Sequence, residues 1–359
     1  MNHIGIDLGS RTSSICVIGG DGMVRQQLVK DTQELERWFA TIETSWISLE
    51  SCAESRLVAI AAIAAGHEVR VVPTKFVRSL GVGQRGIKTD KRDALNLARA
   101  SSRMAETLPS IHIKGDAAVE ARMLLKSRAQ LISIRTRLIN FVRSKMREAL
   151  EPPMKCTTKC FAERLRSEHP KFVARPAIAA QLAVLDTIQS QLGELDEAIK
   201  VLASSEAPER LQKIPGVGPV IAVAFIAALD DPHRFTSAAA VASYFGLSPG
   251  ENTTGGKIRR TGIVASGESM TRALLLQGAH SMMNTRRTRE PLACWAEELQ
   301  LRKGRKLAVV ALARRMVVVM WAMLRDGTRY NPVLNKPRPR HVKPKVAPEK
   351  VFKDLSGAV

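Results

Sequence analysis

Four carboxylates in the first hundred residues carry the chemistry that this chain is equipped to do: Asp7, Glu50, and the pair Asp90 and Asp93. Neighbouring carboxylates repel one another and cannot all ionise in one place without penalty. A divalent cation removes that penalty, and an all-oxygen ligand set suits Mg²⁺ or Mn²⁺. Two such cations can clamp the attacking and leaving oxygens of a phosphodiester. Asp7 closes the apolar run HIGIDL just before Gly9 and Ser10, at a strand-to-turn exit. Glu50 ends the run SWISLE, where an acid at the end of a buried strand needs a partner or a metal. Glu54 competes with it but falls inside the following helix. Asp90 and Asp93 lie three apart and share a helix face, a pattern that by itself also fits an ordinary solvated face.

The elements that must position these acids alternate. Apolar runs at 3–8, 14–18 and 23–29, the last two parted by Gly19, Gly20 and Gly22, read as a β-meander. Residues 31–44 have helical periodicity, SWISLES reads as a fourth, buried strand, and a helix over 53–65 stops at Gly66 before a strand at 67–72. That order predicts a mixed α/β layer fold. Gly81, Gly83 and Gly86 make 81–87 a flexible loop, and Thr89 is a plausible N-cap for the helix that holds Asp90 and Asp93. Two long amphipathic stretches, 118–148 and 177–203, predict an antiparallel helical hairpin with 150–176 as an irregular tip. A second compact unit opens near 208. It contains Gly216-Val217-Gly218 between helical segments, a helix at 239–247, a polar, Gly-rich, basic loop at 249–269, a helix at 270–283 and an apolar helix at 306–324. Beyond Tyr330, five prolines and seven Lys or Arg against two acids predict a disordered basic tail able to touch phosphates.

The whole chain narrows the partners. Its 359 residues are enough for two domains, and 55 Lys and Arg against 34 Asp and Glu leave a formal charge of +21. Such an excess favours polyanions through counterion release, so DNA or RNA is the expected partner. A membrane surface is the alternative, but no segment reads as a basic amphipathic anchor and no apolar run reaches spanning length. Cys16, Cys52, Cys156, Cys160 and Cys294 are scattered without a second zinc-spaced pair, and read as free thiols in a reducing cytoplasm. The N-terminus enters a strand directly, with no cleavable signal expected.

The segments GIDLGSRTSSICVI, LESCAES ahead of GHEVRVVP, and KTDKRDA resemble the DEDD, RuvC-like domain of insertion-sequence 110 family transposases. IPGVGPVIA, FGLSPGENTTGGKIRRTGI and WAMLRDGTRYNP resemble that family's second domain and tail, so the likeness covers nearly the whole chain. It implies an α/β RuvC/RNase H-like metal domain (1–115), a long helical hairpin (116–206), a mainly α C-terminal transposase domain with a nucleophile loop (207–330) and the tail (331–359). It also implies a site-specific DNA recombinase acting in the bacterial cytoplasm, on the nucleoid. Asp7, Glu50, Asp90 and Asp93 would hold Mg²⁺, a C-terminal hydroxyl would attack DNA covalently, a structured bridge RNA would choose donor and target, and a homo-oligomer (dimer or tetramer) would form composite sites. The family places a serine five residues after Pro249; this chain has Thr254 there, preceded by Thr253. A threonine hydroxyl is a competent nucleophile when activated, although its β-branch crowds the attack. The alternatives are Thr253 or Ser248 in that role, a loop threonine that only bonds to backbone, and a chain defective in strand exchange.

Two further features fit nucleic acid. Gly216 and Gly218 resemble the turn of a helix-hairpin-helix, which can hold a phosphate on backbone N–H groups or serve only as a tight interhelical turn. Lys257, Arg259 and Arg260, beside Thr254, are candidates for phosphate contact. Other functions compete. GIDLGSRTSS also resembles the first phosphate loop of actin-like ATPases and sugar kinases, but a second phosphate loop and an adenosine motif are missing. A RuvC-like nuclease using metal-activated water needs the same four acids and no protein nucleophile. A non-catalytic nucleic-acid-binding protein would need none of them.

Overall fold

The computed structural model describes residues 1–79, 89–254, 257–264, 266–285 and 290–332. The chain folds as two compact units, Met1–Asp116 and Ala117–Val359.

In the first unit β1 (Asn2–Asp7), β2 (Thr12–Ile18) and β3 (Val24–Asp31) form the expected meander. The periodic stretch that follows yields only a short helix, α1 (Leu35–Phe39), after a single 3₁₀ turn. Leu35 and Phe39 are its buried residues, and Ile42 packs on the same core from beyond the helix end. Then come β4 (Ser45–Glu50), α2 (Ser55–Ala64), β5 (Glu68–Val72), α3 (Thr74–Ser79) and α4 (Asp90–Met104). The sheet order is β3-β2-β1-β4-β5, antiparallel through β1 and parallel from β1 to β5. The predicted loop at 81–87 lies outside the described residues.

Side-chain alternation splits this sheet into two faces. On one, Ile4, Ile6, Ile15, Ile47, Leu49 and Val71 pack with Leu35 and Phe39 of α1 and Val58, Ala59 and Ala62 of α2. On the other, Cys16 and Ile18 meet Ala94 and Ala98 of α4, and Val72 meets Leu97 and Ala100. His67 is a strut of the first face rather than a ligand. Its Nδ1 accepts from the Ser45 N–H at 3.2 Å and its Nε2 donates to the Phe39 carbonyl at 3.0 Å.

The second unit begins with α5 (Asp116–Glu148), followed by α6 (Phe161–Glu168), α7 (Pro170–Val173) and α8 (Pro176–Ala203). The end of α5 (Ile139, Val142, Met146) shares a core with the start of α8 (Ile178, Leu182, Leu185). The start of α5 (Ala121, Leu125) shares another with the end of α8 (Ile199, Ala203). The segment between them departs from the irregular tip expected, because Phe161, Leu165 and Phe172 bury themselves in the first of these cores and hold two short helices.

The chain continues through α9 (Glu206–Leu211), α10 (Pro219–Leu229), α11 (Ala238–Tyr244), a two-stranded sheet of β6 (Pro249–Thr254) and β7 (Lys257–Ile263), α12 (Ser269–Asn284), α13 (Pro291–Lys303) and α14 (Arg305–Asp326). Among the described residues α14 is the one helix long and apolar enough to cross a membrane. It is also the centre of this unit's core, with Leu312, Ala313, Met316, Val317 and Met320 fully buried. The tail beyond Pro332 lies outside the described residues.

Candidate active site

Pairing decides where the first two acids stand. β1 and β4 are parallel, with Ile6 opposite Leu49, so the next residues along, Asp7 and Glu50, close neighbouring strands at the same edge. Alternation puts Asp7 on the face of His3 and Gly5, and Glu50 on that of Ser48, which is the α4 face. Both strand ends are pinned. The Thr32 hydroxyl donates to the Gly9 carbonyl at 2.7 Å, and the Thr32 N–H to the Arg11 carbonyl at 2.7 Å, which fixes the turn after Asp7. The Ser51 N–H donates to the Val72 carbonyl at 3.0 Å, and the Ser51 and Thr74 hydroxyls lie 3.2 Å apart, which fixes the exit from Glu50.

The second pair arrives on α4, and Gly5 sets how closely that helix lies on the sheet. A Cβ on Gly5 would stand 2.1 Å from the Ala94 carbonyl oxygen and 2.3 Å from the Ala98 nitrogen. One residue pair further back, His3 Nδ1 hydrogen-bonds the Ser101 hydroxyl at 3.0 Å. Climbing β1 from His3 to Gly5 thus descends α4 from Ser101 toward Ala94, so helix and strand run in opposite directions. Two more strand residues, about 6–7 Å, match about four helical residues and bring Asp7 level with the first turn of α4. Asp93 is there, 2% exposed, with Asp90 exposed one turn away. Thr89 has the extended backbone of an N-cap, but its side chain makes no cap hydrogen bond. Acids in that first turn are favoured by the helix dipole in any case.

The backbone therefore brings the acid-bearing ends of β1, β4 and α4 to one edge of the first unit. The side chains do not close into a ligand set. Among the described residues no group of three or more Asp, Glu, His or Cys could hold a metal ion.

The predicted loop at 249–269 contains the β6–β7 hairpin, in which Thr254 pairs with Lys257 and Asn252 with Arg259. Thr254 and Arg259 are exposed. The side chains of Lys257 and Arg260 lie outside the described residues. Thr253 donates to Glu251 Oε1 at 2.6 Å, and the Ser248 hydroxyl lies 2.9 Å from that of Ser243 and 3.1 Å from Arg314 Nη1, so both rival hydroxyls are engaged. Gly216, at φ +82°, lies so near α12 that a Cβ would meet the Gly278 carbonyl oxygen at 2.3 Å. Packing alone thus requires glycine there, whereas Gly218 caps α10 with open space around its Cα. Arg272 and Arg314, which hold the base of the hairpin, were not singled out by sequence reasoning. Arginines inside helices carry no local signal of what they touch.

Residues 4–150 match the DEDD transposase family of IS110 elements, and residues 208–293 match the transposase family IS116/IS110/IS902. A putative transposase, y4pF/y4sB of Sinorhizobium fredii, is 30% identical over 339 residues, 90% of this chain and 85% of its own. The chain belongs to the IS116/IS110/IS902 transposase family. The transposase is also similar to the transposase of insertion sequence element IS1111A from Coxiella burnetii, 26% identical over 91% of this chain and 90% of that one. A probable family 20 transposase of Pseudomonas aeruginosa is 25% identical over 92% and 99%. As a transposase, the protein cleaves and rejoins DNA. The actin-like ATPase reading and the non-catalytic one are thereby set aside.

Proposed function

We propose that this transposase is a site-specific recombinase in which Asp7, Glu50, Asp90 and Asp93 hold Mg²⁺ or Mn²⁺ and the Thr254 hydroxyl attacks the DNA phosphate. The observation that carries it is the arrival of β1, β4 and the first turn of α4 at one edge, with an acid on each. The donor set fits a hard cation because every candidate ligand is a carboxylate oxygen. When bound, the ion would offset the acids' repulsion and stabilise charge developing on the phosphate.

The chain's own part is to deliver the nucleophile and hold the DNA. Thr254 Oγ1 would form a bond to phosphorus and lose its proton, while the bond from phosphorus to the departing strand's oxygen breaks and that oxygen leaves protonated. Exposure of Thr254 on a projecting hairpin, with Thr253 and Ser248 occupied elsewhere, supports it over its neighbours. Lys257, Arg259 and Arg260 would contact the flanking phosphates. The N-terminus of α10, with Gly216 and Gly218 in the turn before it, would offer backbone N–H groups to another, Pro219 contributing none. With only 4% aromatic residues the chain has few platforms for stacking bases. The family resemblance supplies the route to sequence choice: a structured RNA would pair with donor and target, with the protein acting as a homo-oligomer.

Denaturing gels of protein incubated with a plasmid carrying the element's ends test the nucleophile. Thr254→Ser should keep or raise the yield of covalent protein–DNA adduct, and Thr254→Val should abolish it. An unchanged adduct in Thr254→Val moves the role to another hydroxyl, and no adduct in any form favours metal-activated water. Sequencing the RNA that copurifies, alongside an excision assay, tests guidance; absence of a discrete element-encoded RNA from excision-competent protein would refute it.

A further inference from the structure

The β6–β7 hairpin is exposed along β6, yet both of its ends are held from beneath. The incoming end runs from α11 through Phe245, Gly246, Leu247 and Ser248; the outgoing end runs through Val264, Ser266 and Gly267 into α12. The two ends meet at backbone contact. Gly246 and Gly267 sit at φ +65° and +99°, and a Cβ on Gly267 would stand 2.6 Å from the Tyr244 carbonyl oxygen and 2.8 Å from the Gly246 nitrogen. The Val264 N–H donates to the Ser248 carbonyl at 3.1 Å across the base.

Two arginines close this base. Arg272 of α12 donates through Nη1 to the Ser266 carbonyl at 2.8 Å, with longer contacts to Val264 at 3.3 Å and Phe245 at 3.4 Å. One nitrogen thus touches both ends of the hairpin. Arg314 of α14 donates through Nη1 to the Ser248 hydroxyl at 3.1 Å and the Leu247 carbonyl at 3.3 Å. Hydrogen bonds from a permanent cation are among the stronger ones, and a planar guanidinium directs them. Both arginines rise from helices fixed in the core, through Leu275 of α12 and Leu312, Ala313 and Met316 of α14.

We propose that Arg272 and Arg314 are positioning residues for strand cleavage: they fix the angle of the hairpin, so that its tip presents Thr254 to the DNA in one direction. The inference rests on the reading of Thr254 as the nucleophile. Its force comes from leverage. Thr254 lies six residues beyond Ser248, about 20 Å of extended chain. A 10° swing at the base then moves the hydroxyl by about 3.5 Å, when a misplacement of about 1 Å is enough to cost about a hundredfold in rate. A contact made far from the reacting atoms can thus govern the chemical step and leave DNA affinity alone.

The test compares adduct formation at saturating plasmid with DNA affinity, using full-length protein with the nucleic acid it retains. Arg272→Ala should slow adduct formation by at least about tenfold, with the dissociation constant for DNA nearly unchanged and the fold intact by melting temperature. Arg272→Lys keeps the charge but loses the fork, and should be intermediate. Gly246→Ala keeps the arginine but, at φ +65°, places a Cβ 1.9 Å from its Nη1 and 2.3 Å from the Ser266 carbonyl oxygen, so it disturbs the same base and should reproduce the loss. Ser248→Ala removes one acceptor of Arg314 and should slow the step several-fold in a protein that folds normally. Weaker DNA binding with an unchanged saturated rate would overturn the proposal and make Arg272 a phosphate contact. Wild-type rates in the folded Arg272→Lys, Gly246→Ala and Ser248→Ala proteins would overturn it too. If Thr254→Val is inactive while these react normally, the positioning inference alone fails; if Thr254→Val still forms adduct, the nucleophile assignment is what fails.

Discussion

Asp93 is the acid with the most constrained setting. It is 2% exposed, on the first turn of a helix whose backbone touches the sheet at Gly5. A carboxylate that deep is costly unless an opposite charge compensates it. Conversion to asparagine keeps the shape and removes the charge. Asp93→Asn and Asp7→Asn should each lower strand cleavage by at least about a hundredfold, as loss of a transition-state electrostatic contact typically does. A second readout does not depend on activity. Mn²⁺ at about 100 times its dissociation constant should stabilise the wild-type fold by about 2.7 kcal/mol, seen as a rise in melting temperature. The rise should vanish in Asp93→Asn, and the same rise in both proteins would remove Asp93 from the ligand set. At this scale the sequence could name the four acids as candidates, because carboxylate chemistry belongs to residue type. The hydrogen bonds that pin their strand ends, from Thr32 and from Ser51 with Thr74, were not legible there, since each joins residues far apart along the chain.

Among the elements, the contact between β1 and α4 matters most to the site, and it depends on a missing side chain. Gly5→Ala would place a methyl group 2.1 Å from a backbone oxygen that has no rotamer through which to yield. The helix must lift from the sheet, at a cost of about 1–3 kcal/mol or more. Calorimetry should show that destabilisation, and cleavage should fall further than stability because the acids of α4 leave the edge with their helix. A wild-type melting temperature would mean that α4 packs otherwise. The strands of the first unit were readable because they are short apolar runs broken by glycines, and β1, β2 and β4 are buried along most of their length. The β6–β7 hairpin was not, and the reason is physical: β6 reads PGENTT, exposed nearly throughout, so no buried face writes a period into it. The short helices α6 and α7 were missed for a different reason, since Phe161, Leu165 and Phe172 gain their helical setting from α5 and α8 rather than from local pattern.

For the molecule as a whole, charge sets the partner and packing sets the architecture. With a formal charge of +21, binding to DNA should weaken steeply with salt whatever its sequence. Reversing one exposed charge of the hairpin, Arg259→Glu, should flatten the plot of log affinity against log salt by about one unit and weaken all sequences alike. An unaltered slope would take Arg259 off the nucleic-acid surface. Charge and motif order, carried by residue types and their succession, were enough to place the chain among transposases that act on DNA. Which residues share a face was settled only once the chain had folded. Folding set Asp7 beside Glu50 by strand register, brought α4 down onto Gly5, and put Arg272 and Arg314 under the hairpin. Register and packing are relations between segments far apart along the chain, so no local pattern records them.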